Sequence, residues 1–270
     1  IEKLGLRPTE TDKAPAAEAP ALTVRCEPVT EEKRAQEVLA LFRQAEHVSL
    51  LALPDLSGVM VDCAVGEGET LSAEFFFDRY QGDWNALLAA LFSADIPKVS
   101  HNVKDLMRTL LENGLPAEGF LFDTALAAYL IDATSGKYDL PTLFTAYFHG
   151  ELPAPAHLSP DAFSLLGGDT AAAEAAFHSY VSAVDALYGV LAPRLKEREQ
   201  WELYETAELP LCRVLAEMEL AGCRVDKGAL AAFGEMLSRR AAALEREIYD
   251  LAGESFNINS PKQLGTVLFE

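Results

Sequence analysis

The stretch from His47 to Ala64, HVSLLALPDLSGVMVDCA, constrains the fold of this chain more than any other. It contains two apolar runs on either side of a Pro-Asp-Leu-Ser-Gly turn, and the second run alternates with period two. Short apolar runs that meet at a tight turn are typical of a β-hairpin. We therefore predict that these residues form a hairpin that opens a sheet.

Further strands and helices alternate around this hairpin. A short strand pattern lies at residues 21–25, and others follow at 70–77, 98–100 and 120–122. Asp83 and Asp123 each precede an apolar helical segment and are expected N-caps, while Thr30 is the expected cap of a helix before the hairpin. Strands that alternate with helices in this way indicate an α/β layer with a mixed sheet.

The C-terminal third has a helical pattern throughout. A helix from Thr170 is expected to be interrupted at Pro193, and Asp226 caps a later helix that ends at Gly253. Apolar residues recur along this later helix with steps of three and four, at Leu230, Phe233, Leu237, Ala241, Leu244, Ile248 and Leu251. Such a seam predicts packing against a second helix, either as an antiparallel pair or as an intermolecular coiled coil.

Three further segments complete the organisation of the chain. Pro8 to Pro20, PTETDKAPAAEAP, has almost no large apolar residue and is predicted to be a linker. Residues 134–168 are predicted to be rich in loops, with a short helix after Ser159-Pro160. Ser260-Pro261 begins a helix that still continues at Glu270, so we interpret the sequence as a piece of a longer protein.

The charge of the chain argues against strong binding of nucleic acid by its N-terminal part. The net charge is −20, from 22 Lys and Arg against 42 Asp and Glu. Residues 194–270 hold 10 of the basic and 14 of the acidic residues, which leaves 12 basic and 28 acidic residues in the first 193. A surface that grips phosphates needs clustered Lys and Arg, and these first 193 residues have only scattered ones.

Composition also indicates the compartment. No apolar run approaches the roughly 20 residues of a membrane span, and the first residues lack the pattern of a signal peptide. We therefore expect a soluble, cytoplasmic protein without membrane contact. Cys26, Cys63, Cys212 and Cys223 show no CxxC spacing and lie in apolar surroundings, so they are expected to be buried, reduced thiols and not metal ligands.

Two C-terminal segments, ELPLCRVLAEMELAGCRVD and AGESFNINSPKQLGTVLFE, closely resemble the start of the polymerase region of the bacterial DNA polymerase I family, family A. Phe256, Asn257 and the run from Asn259 to Leu264 stand in the family's order without a gap. FDTALAAYLI, KVSHNVK and the helix around Tyr180 resemble, more weakly, the family's 3′ to 5′ exonuclease domain, which has an RNase H-like α/β fold. IEKLGLRP resembles the end of the family's preceding 5′ nuclease domain.

This resemblance implies a domain organisation. Residues 1–20 would be the end of a preceding domain and a linker, residues 21–200 an exonuclease-like domain, and residues 201–270 the helical start of the polymerase thumb. Contacts to DNA are then expected from polar residues near a helix N-terminus, a position that suits phosphate oxygens, namely Asn257, Asn259, Ser260, Lys262 and Gln263. Primer-template DNA would be the partner of the full-length protein, which we expect to be a monomer.

The positions that correspond to the family's exonuclease carboxylates are all apolar in this chain. They hold Leu51, Leu53, Leu106 and Val184, and alkyl groups cannot bind Mg²⁺, which requires oxygen ligands. We therefore predict an inactive exonuclease-like domain with no catalytic residue and no metal site, in which these side chains stabilise the core. Neighbouring Asp105 and Asp185 are displaced by one residue, about 100° on a helix.

Two alternatives remain open from the sequence. One is an active exonuclease with a metal site rebuilt from Asp55, Asp105, Asp123 and Asp185, and the other is an acidic module that binds a protein partner. His101 has no converging partner in the sequence and is expected to have a surface or capping role. The resemblance implies no cofactor in this segment, with Mg²⁺ required by the polymerase region beyond it.

Overall fold

The computed structural model describes residues 23–66, 68–154 and 170–269, with side chains from Cys26 onward. The linker predicted before Pro20 and the helix predicted after Ser159-Pro160 lie outside these residues. The chain divides into two compact units between Ala221 and Gly222. This division falls after α8 (Leu209–Ala221), whose Arg213 Nη1 donates to the Ala117 carbonyl at 3.2 Å in the first unit. The predicted domain boundary at residue 200 stays a prediction.

Within the described residues, the first unit contains one mixed sheet of six strands. The strands are β1 (Thr23–Pro28), β2 (Val48–Ala52), β3 (Gly58–Gly66), β4 (Glu69–Phe76), β5 (Lys98–Ser100) and β6 (Phe120–Asp123). Their order across the sheet is β1-β4-β3-β2-β5-β6. β3 is antiparallel to both of its neighbours, β2 and β4, while the outer pairs are parallel. The predicted hairpin is therefore β2 and β3, and the predicted mixed sheet is confirmed.

Helices cover both faces of this sheet. Those before the long central helix are α1 (Glu32–Phe42), α2 (Trp84–Leu91), α3 (Val103–Glu112), α4 (Thr124–Ile131) and α5 (Leu140–Phe148). The long helix α6 (Thr170–Glu197) is followed by α7 (Trp201–Leu203), a π-helical turn at Tyr204–Glu208, and α8. The second unit contains α9 (Lys227–Ala252) and α10 (Pro261–Phe269). None of the described helices is both long and apolar enough to cross a membrane.

Most of the predicted helix caps are confirmed. Asp83, Asp123 and Asp226 each accept hydrogen bonds from backbone N–H groups in the first turn of their helix. Gly222 and Gly253, where two helices were predicted to end, have φ angles of 66° and 75°, the left-handed conformation that glycine adopts at low cost.

Three local predictions were wrong. Glu31, not Thr30, is the N-cap of α1, because the Thr30 carbonyl instead accepts a hydrogen bond from Gln81 N at 2.7 Å. Pro193 does not interrupt α6, and buried Leu191, Ala192 and Leu195 hold the helix in place around the missing N–H. Helix α5 occupies part of the segment predicted as loop, with Asp139 as its N-cap.

Side chains alternate between the two faces of the sheet, as the period of a strand requires. Val48 and Leu50 of β2 point to one face and pack in a core with α1, α2 and α3. Leu51 and Leu53 point to the other face, which α6 covers with Phe177, Val181 and Val184.

The cysteine prediction holds for only two of the four residues. Cys63 and Cys212 are buried, whereas Cys26 and Cys223 are exposed, and all four are free thiols. Cys26 lies on the edge strand β1, and Cys223 lies in the segment between α8 and α9. Apolar neighbours in the sequence therefore did not determine burial here, because exposure depends on which strand lies at the edge of the sheet.

The second unit does not bury the apolar seam predicted along α9. No residue of α9 is buried, and Leu230, Phe233 and Leu237 are each at least half exposed. Tyr249 makes an edge contact with Phe256, with ring centroids 5.8 Å apart. The second unit by itself therefore provides no helix that pairs with this seam.

Candidate nuclease site

Three of the four positions that correspond to nuclease carboxylates lie between the sheet and α6. Leu53 is only 2% exposed and packs with Met60 and Phe76. Leu51 is half-buried at the junction of this cluster with a second one that contains Val184, which is fully buried. These three side chains fill space between β2 and α6 with hydrocarbon.

The fourth position, Leu106, does not join the other three. It is partly buried on α3 and packs against the core on the opposite face of the sheet, beside Val103, Met107 and Leu110. The sequence placed all four positions in one vestigial site. In the structure, Leu106 packs in a different hydrophobic cluster from Leu51, Leu53 and Val184.

Two of the displaced carboxylates lie on the surface. Asp55 is in the turn between β2 and β3, where Oδ1 accepts hydrogen bonds from Ser57 N at 3.0 Å and Ser57 Oγ at 2.6 Å. Asp105 is exposed on α3 and lies 3.0 Å from Lys104 Nζ. Neither carboxylate points into the region under α6 that contains Leu51 and Val184.

Asp123 is buried and acts as a structural cap. Its Oδ1 accepts hydrogen bonds from Asn102 N and Ala125 N at 3.1 and 2.9 Å, and its Oδ2 accepts one from Val103 N at 2.8 Å. Burial raises the pKa of Asp123, while these backbone donors act in the opposite direction. This one carboxylate therefore fixes the starts of both α3 and α4, and its oxygens are occupied by N–H groups.

Asp185 lies on α6 and bonds with residues at the start of β2. Its Oδ1 is 2.8 Å from Ser49 Oγ, which donates to it, and 3.1 Å from His47 Nε2. Burial acts to raise the pKa of Asp185, but the hydrogen bonds from His47 and Ser49 outweigh it, so the pKa is lowered. The carboxylate is thus held in its charged form by side chains that also bind α6 to β2.

A row of polar residues crosses the same sheet face, and the sequence analysis did not identify it. In register across four strands lie Cys26, Ser72, Asp62 and Ser49. Ser72 Oγ donates a short hydrogen bond to Asp62 Oδ1, and Ser182 Oγ on α6 donates to Asp62 Oδ2 at 2.9 Å. Burial raises the pKa of Asp62, and the two serine hydrogen bonds offset part of that rise.

His178 on α6 connects this row to a second buried carboxylate. Its Nδ1 lies 2.8 Å from Ser72 Oγ and 3.8 Å from Cys26 Sγ, and its Nε2 lies 2.8 Å from Glu74 Oε1. The sequence did contain a signal for this arrangement. Asp62, Ser72 and Glu74 are polar residues at alternate positions of otherwise apolar strands, and His178, Ser182 and Asp185 follow helical spacing.

Potential metal ligands converge at one place in the described chain. Among residues 23–66, 68–154 and 170–269, the one group of three whose ligand atoms all lie within 4.8 Å is Cys26, Glu74 and His178. The carboxylates considered from the sequence, Asp55, Asp105, Asp123 and Asp185, form no such group within those ranges. Their oxygens instead accept hydrogen bonds or form an ion pair at separate places in the fold.

His101 is not a surface residue. It follows β5 and is partly buried, with its Nδ1 2.8 Å from Thr124 Oγ1 at the start of α4. Burial lowers the pKa of His101 to about 4, so the ring is neutral at physiological pH. Its contact with Thr124 indicates a structural role in joining the end of β5 to α4.

The candidate DNA contacts surround the start of α10. Gln263 N donates to Ser260 Oγ at 3.4 Å, and Asn257 N donates to Gln263 Oε1 at 2.8 Å. Asn259 N donates to Asn257 Oδ1 at 3.0 Å. These bonds occupy one side-chain oxygen each of Asn257, Ser260 and Gln263. Lys262 is exposed at the second position of the helix. The order of these residues therefore also serves to cap α10.

Comparisons with known proteins agree with the resemblance seen in the sequence. No protein-family model matches the chain. DNA polymerase I of Rhizobium leguminosarum is 38% identical over 189 residues, which are 68% of this chain and 18% of the relative. DNA polymerase I of Geobacillus stearothermophilus is 37% identical over 158 residues, 58% of this chain and 18% of the relative.

Two solved structures have related folds. The POL domain of Pol1 from M. smegmatis, in complex with DNA primer-template and dNTP, is 25% identical with a TM-score of 0.67, over 91% of this chain and 41% of that one. Brucella melitensis NrnC bound to pGG is 18% identical with a TM-score of 0.54, over 76% of this chain and 98% of that one, and supports the fold alone. The predicted RNase H-like α/β fold followed by helices is confirmed.

The chain spans less than a fifth of the length of these two curated relatives. Within that span, the similarity reaches most of the described α/β unit. The resemblance of this chain to a segment of bacterial DNA polymerase I is confirmed.

Proposed function

We propose that this chain is part of a bacterial DNA polymerase I that acts in DNA replication and repair, and that it serves there as an exonuclease-like scaffold without nuclease activity. The observation that carries the proposal is that a chain 38% identical to a DNA polymerase I has leucines, Leu51 and Leu53, at the positions expected for metal-binding carboxylates. Template-directed nucleotidyl transfer, with its Mg²⁺ ions, would belong to a polymerase region outside this sequence. The proposed location is the cytoplasm, which suits four unpaired thiols, and the proposed state is a monomer.

The absence of nuclease activity has a physical basis. A two-metal nuclease needs several carboxylate oxygens around two cations that are about 4 Å apart. Leu53 and Val184 are buried against other apolar side chains, so neither water nor a hard cation has oxygen partners there. Asp123 and Asp185, the two carboxylates of the rebuilt-site alternative that are at least partly buried, each accept more than one hydrogen bond and fix the ends of helices and strands.

The test of this part is degradation of a 3′-labelled single strand by the purified chain, with Mg²⁺ or Mn²⁺ and with a chelator as control. We expect no metal-dependent shortening. A proofreading polymerase assayed on the same substrate provides the positive control. Metal-dependent shortening that survives repurification and disappears in Asp185→Asn or Asp105→Asn would overturn the proposal and indicate an exonuclease with displaced carboxylates.

The proposed contact with primer-template DNA comes from the start of α10. The M. smegmatis structure is a polymerase domain with such DNA bound, and the chain's exposed Lys262 lies at a helix N-terminus, where phosphate oxygens bind well. The contact would act only together with the rest of a full-length protein, because a net charge of −20 repels DNA at long range.

This contact can be measured by fluorescence anisotropy with a labelled primer-template at low salt. We expect Lys262→Ala to weaken binding and to reduce the salt slope by about one ion. Lys227→Ala, at the exposed start of α9, is the matched control and should leave both quantities unchanged. Submicromolar binding of the isolated chain at physiological salt would contradict the charge argument.

A further inference from the structure

The group formed by Cys26, Glu74 and His178 has the donor chemistry of a metal site. It combines a thiol, a carboxylate and an imidazole, and the ligand atoms lie within 4.8 Å of one another. Cys26 lies on β1, Glu74 on β4 and His178 on α6, so three separate elements contribute. We propose that Cys26, Glu74 and His178 bind a zinc ion that ties the edge strand β1 and its neighbour β4 to α6.

The distance between the cysteine sulfur and the imidazole nitrogen already fits this coordination. A tetrahedral zinc ion with ordinary bond lengths holds a thiolate sulfur and an imidazole nitrogen about 3.6 Å apart. Cys26 Sγ lies 3.8 Å from His178 Nδ1. Glu74 Oε1 lies 2.8 Å from the other ring nitrogen, Nε2, so the carboxylate must turn away from Nε2 to reach an ion that Nδ1 binds. All three ligand atoms lie within 4.8 Å of one another, which keeps this movement small.

Local charge also favours a cation. Glu74 and Asp62 are both buried, and only His178 among the residues of this cluster can carry a positive charge. Burial and the nearby Glu74 and Asp62 raise the pKa of the Cys26 thiol, so the sulfur stays protonated without a metal. A zinc ion would displace the thiol proton of Cys26, which makes binding pH-dependent.

Access and metal selectivity follow from the position of each ligand. Cys26 is exposed, so an ion can enter from solvent, and a water molecule can complete the fourth coordination position. Thiolate and imidazole select zinc and similar ions over Mg²⁺, which prefers oxygen alone. The site is therefore separate in chemistry from any magnesium site of a nuclease, and it does not depend on the function proposed above.

The test uses Co²⁺ as a spectroscopic substitute for zinc, titrated into the full chain under reducing conditions. We expect one Co²⁺ per chain with the near-ultraviolet absorption of a cobalt-thiolate bond, and we expect zinc to displace it. Cys26→Ser should remove this absorption and weaken binding at least about 10-fold. Cys223→Ser, which removes the other exposed cysteine, is the matched control and should behave like the unmodified chain.

A second variant, His178→Gln, separates this site from adventitious binding by a lone cysteine. It should weaken Co²⁺ binding at least about 10-fold while the circular dichroism spectrum stays unchanged. Added zinc should also raise the melting temperature of the unmodified chain but not that of Cys26→Ser. The proposal is overturned if the unmodified chain shows no saturable cobalt-thiolate absorption, or if that absorption persists in Cys26→Ser.

Discussion

The interface between α6 and the sheet has an apolar half and a polar half. Side chains pack against one another in the apolar half and form hydrogen bonds in the polar half. The apolar half contains Leu53, Met60, Phe76, Phe177 and Val181, which exclude water from the positions expected of a nuclease. The polar half lies next to it in the same sheet and pairs Ser49, Asp62, Ser72 and Glu74 with Asp185, Ser182 and His178 of α6. Carboxylates are thus present under α6, but those on the strands lie at other positions than the leucines, and their oxygens accept hydrogen bonds.

In the apolar half, Leu53 occupies a position expected for a nuclease carboxylate and packs within the core. A buried cavity or an unpaired charge would destabilise the fold, whereas packed leucines at the same positions stabilise it by burying apolar area. The polar half instead fixes the position of α6 through directional bonds. The following substitutions test how far the two halves differ.

The largest effect is expected in the apolar half, from Leu53→Glu. Leu53 is 2% exposed, so the substitution would bury a carboxylate without a partner. We expect the free energy of unfolding to fall by about 4 kcal/mol, measured by urea denaturation. Leu121→Glu, at a side chain that is 46% exposed, is the control and should change it by less than about 0.5 kcal/mol. Equal stability of the two variants would show that the leucine does not fill the core.

Asp62→Ala tests the polar half and should have an intermediate effect. It leaves the hydroxyls of Ser72 and Ser182 without their acceptor, at a cost of about 2 kcal/mol. The loss is smaller than for Leu53→Glu, because removing a buried charge offsets part of it. Asp95→Ala, at an exposed site of the same unit, provides the control for denaturation experiments. A variant as stable as the control would mean that the polar row does not hold α6.

The pH dependence of stability should report His101, which lies at the end of β5. Its pKa is about 4 in the folded chain against 6.5 for the free side chain, so the unfolded state binds more protons between these values. Stability is therefore full above pH 6.5 and falls as the pH drops towards 4, with about 2 kcal/mol lost by pH 5. The comparison is with His101→Gln, which should lack this part of the pH dependence. Parallel curves for the two proteins would contradict the burial of the ring.

The smallest effect is expected from Asp185→Asn, because Asp185 is partly exposed. Its lowered pKa means that its contribution is present above the unfolded pKa of 3.8 and is lost as the pH falls through the folded value. We expect a loss of about 1 kcal/mol at pH 7 and none in strong acid. A double-mutant cycle with Ser49→Ala should give a coupling energy above zero, since Ser49 Oγ donates to Asp185 at 2.8 Å. Additive effects would refute the direct bond.

Local features of the structure were predictable from local features of the sequence. The hairpin of β2 and β3 follows from two apolar runs around a Pro-containing turn, and the caps Asp83, Asp123 and Asp226 follow from their positions before apolar helical segments. The failures have equally local causes. Thr30 is a good capping residue, but pairing of its carbonyl with Gln81 makes Glu31 the cap of α1.

The sequence by itself determined the element types, the family resemblance and the apolar residues at the positions expected for nuclease carboxylates, because each of these depends on neighbouring residues. Only the tertiary structure decided that Leu106 packs on the opposite face from Leu51, and that Asp123 caps two helices at once. It also decided that Cys26 and Glu74 meet His178, which are 152 and 104 residues away from it in the chain. Contacts over such separations depend on the order of the strands in the sheet and on the placement of α6 across it, and patterns of neighbouring residues determine neither one.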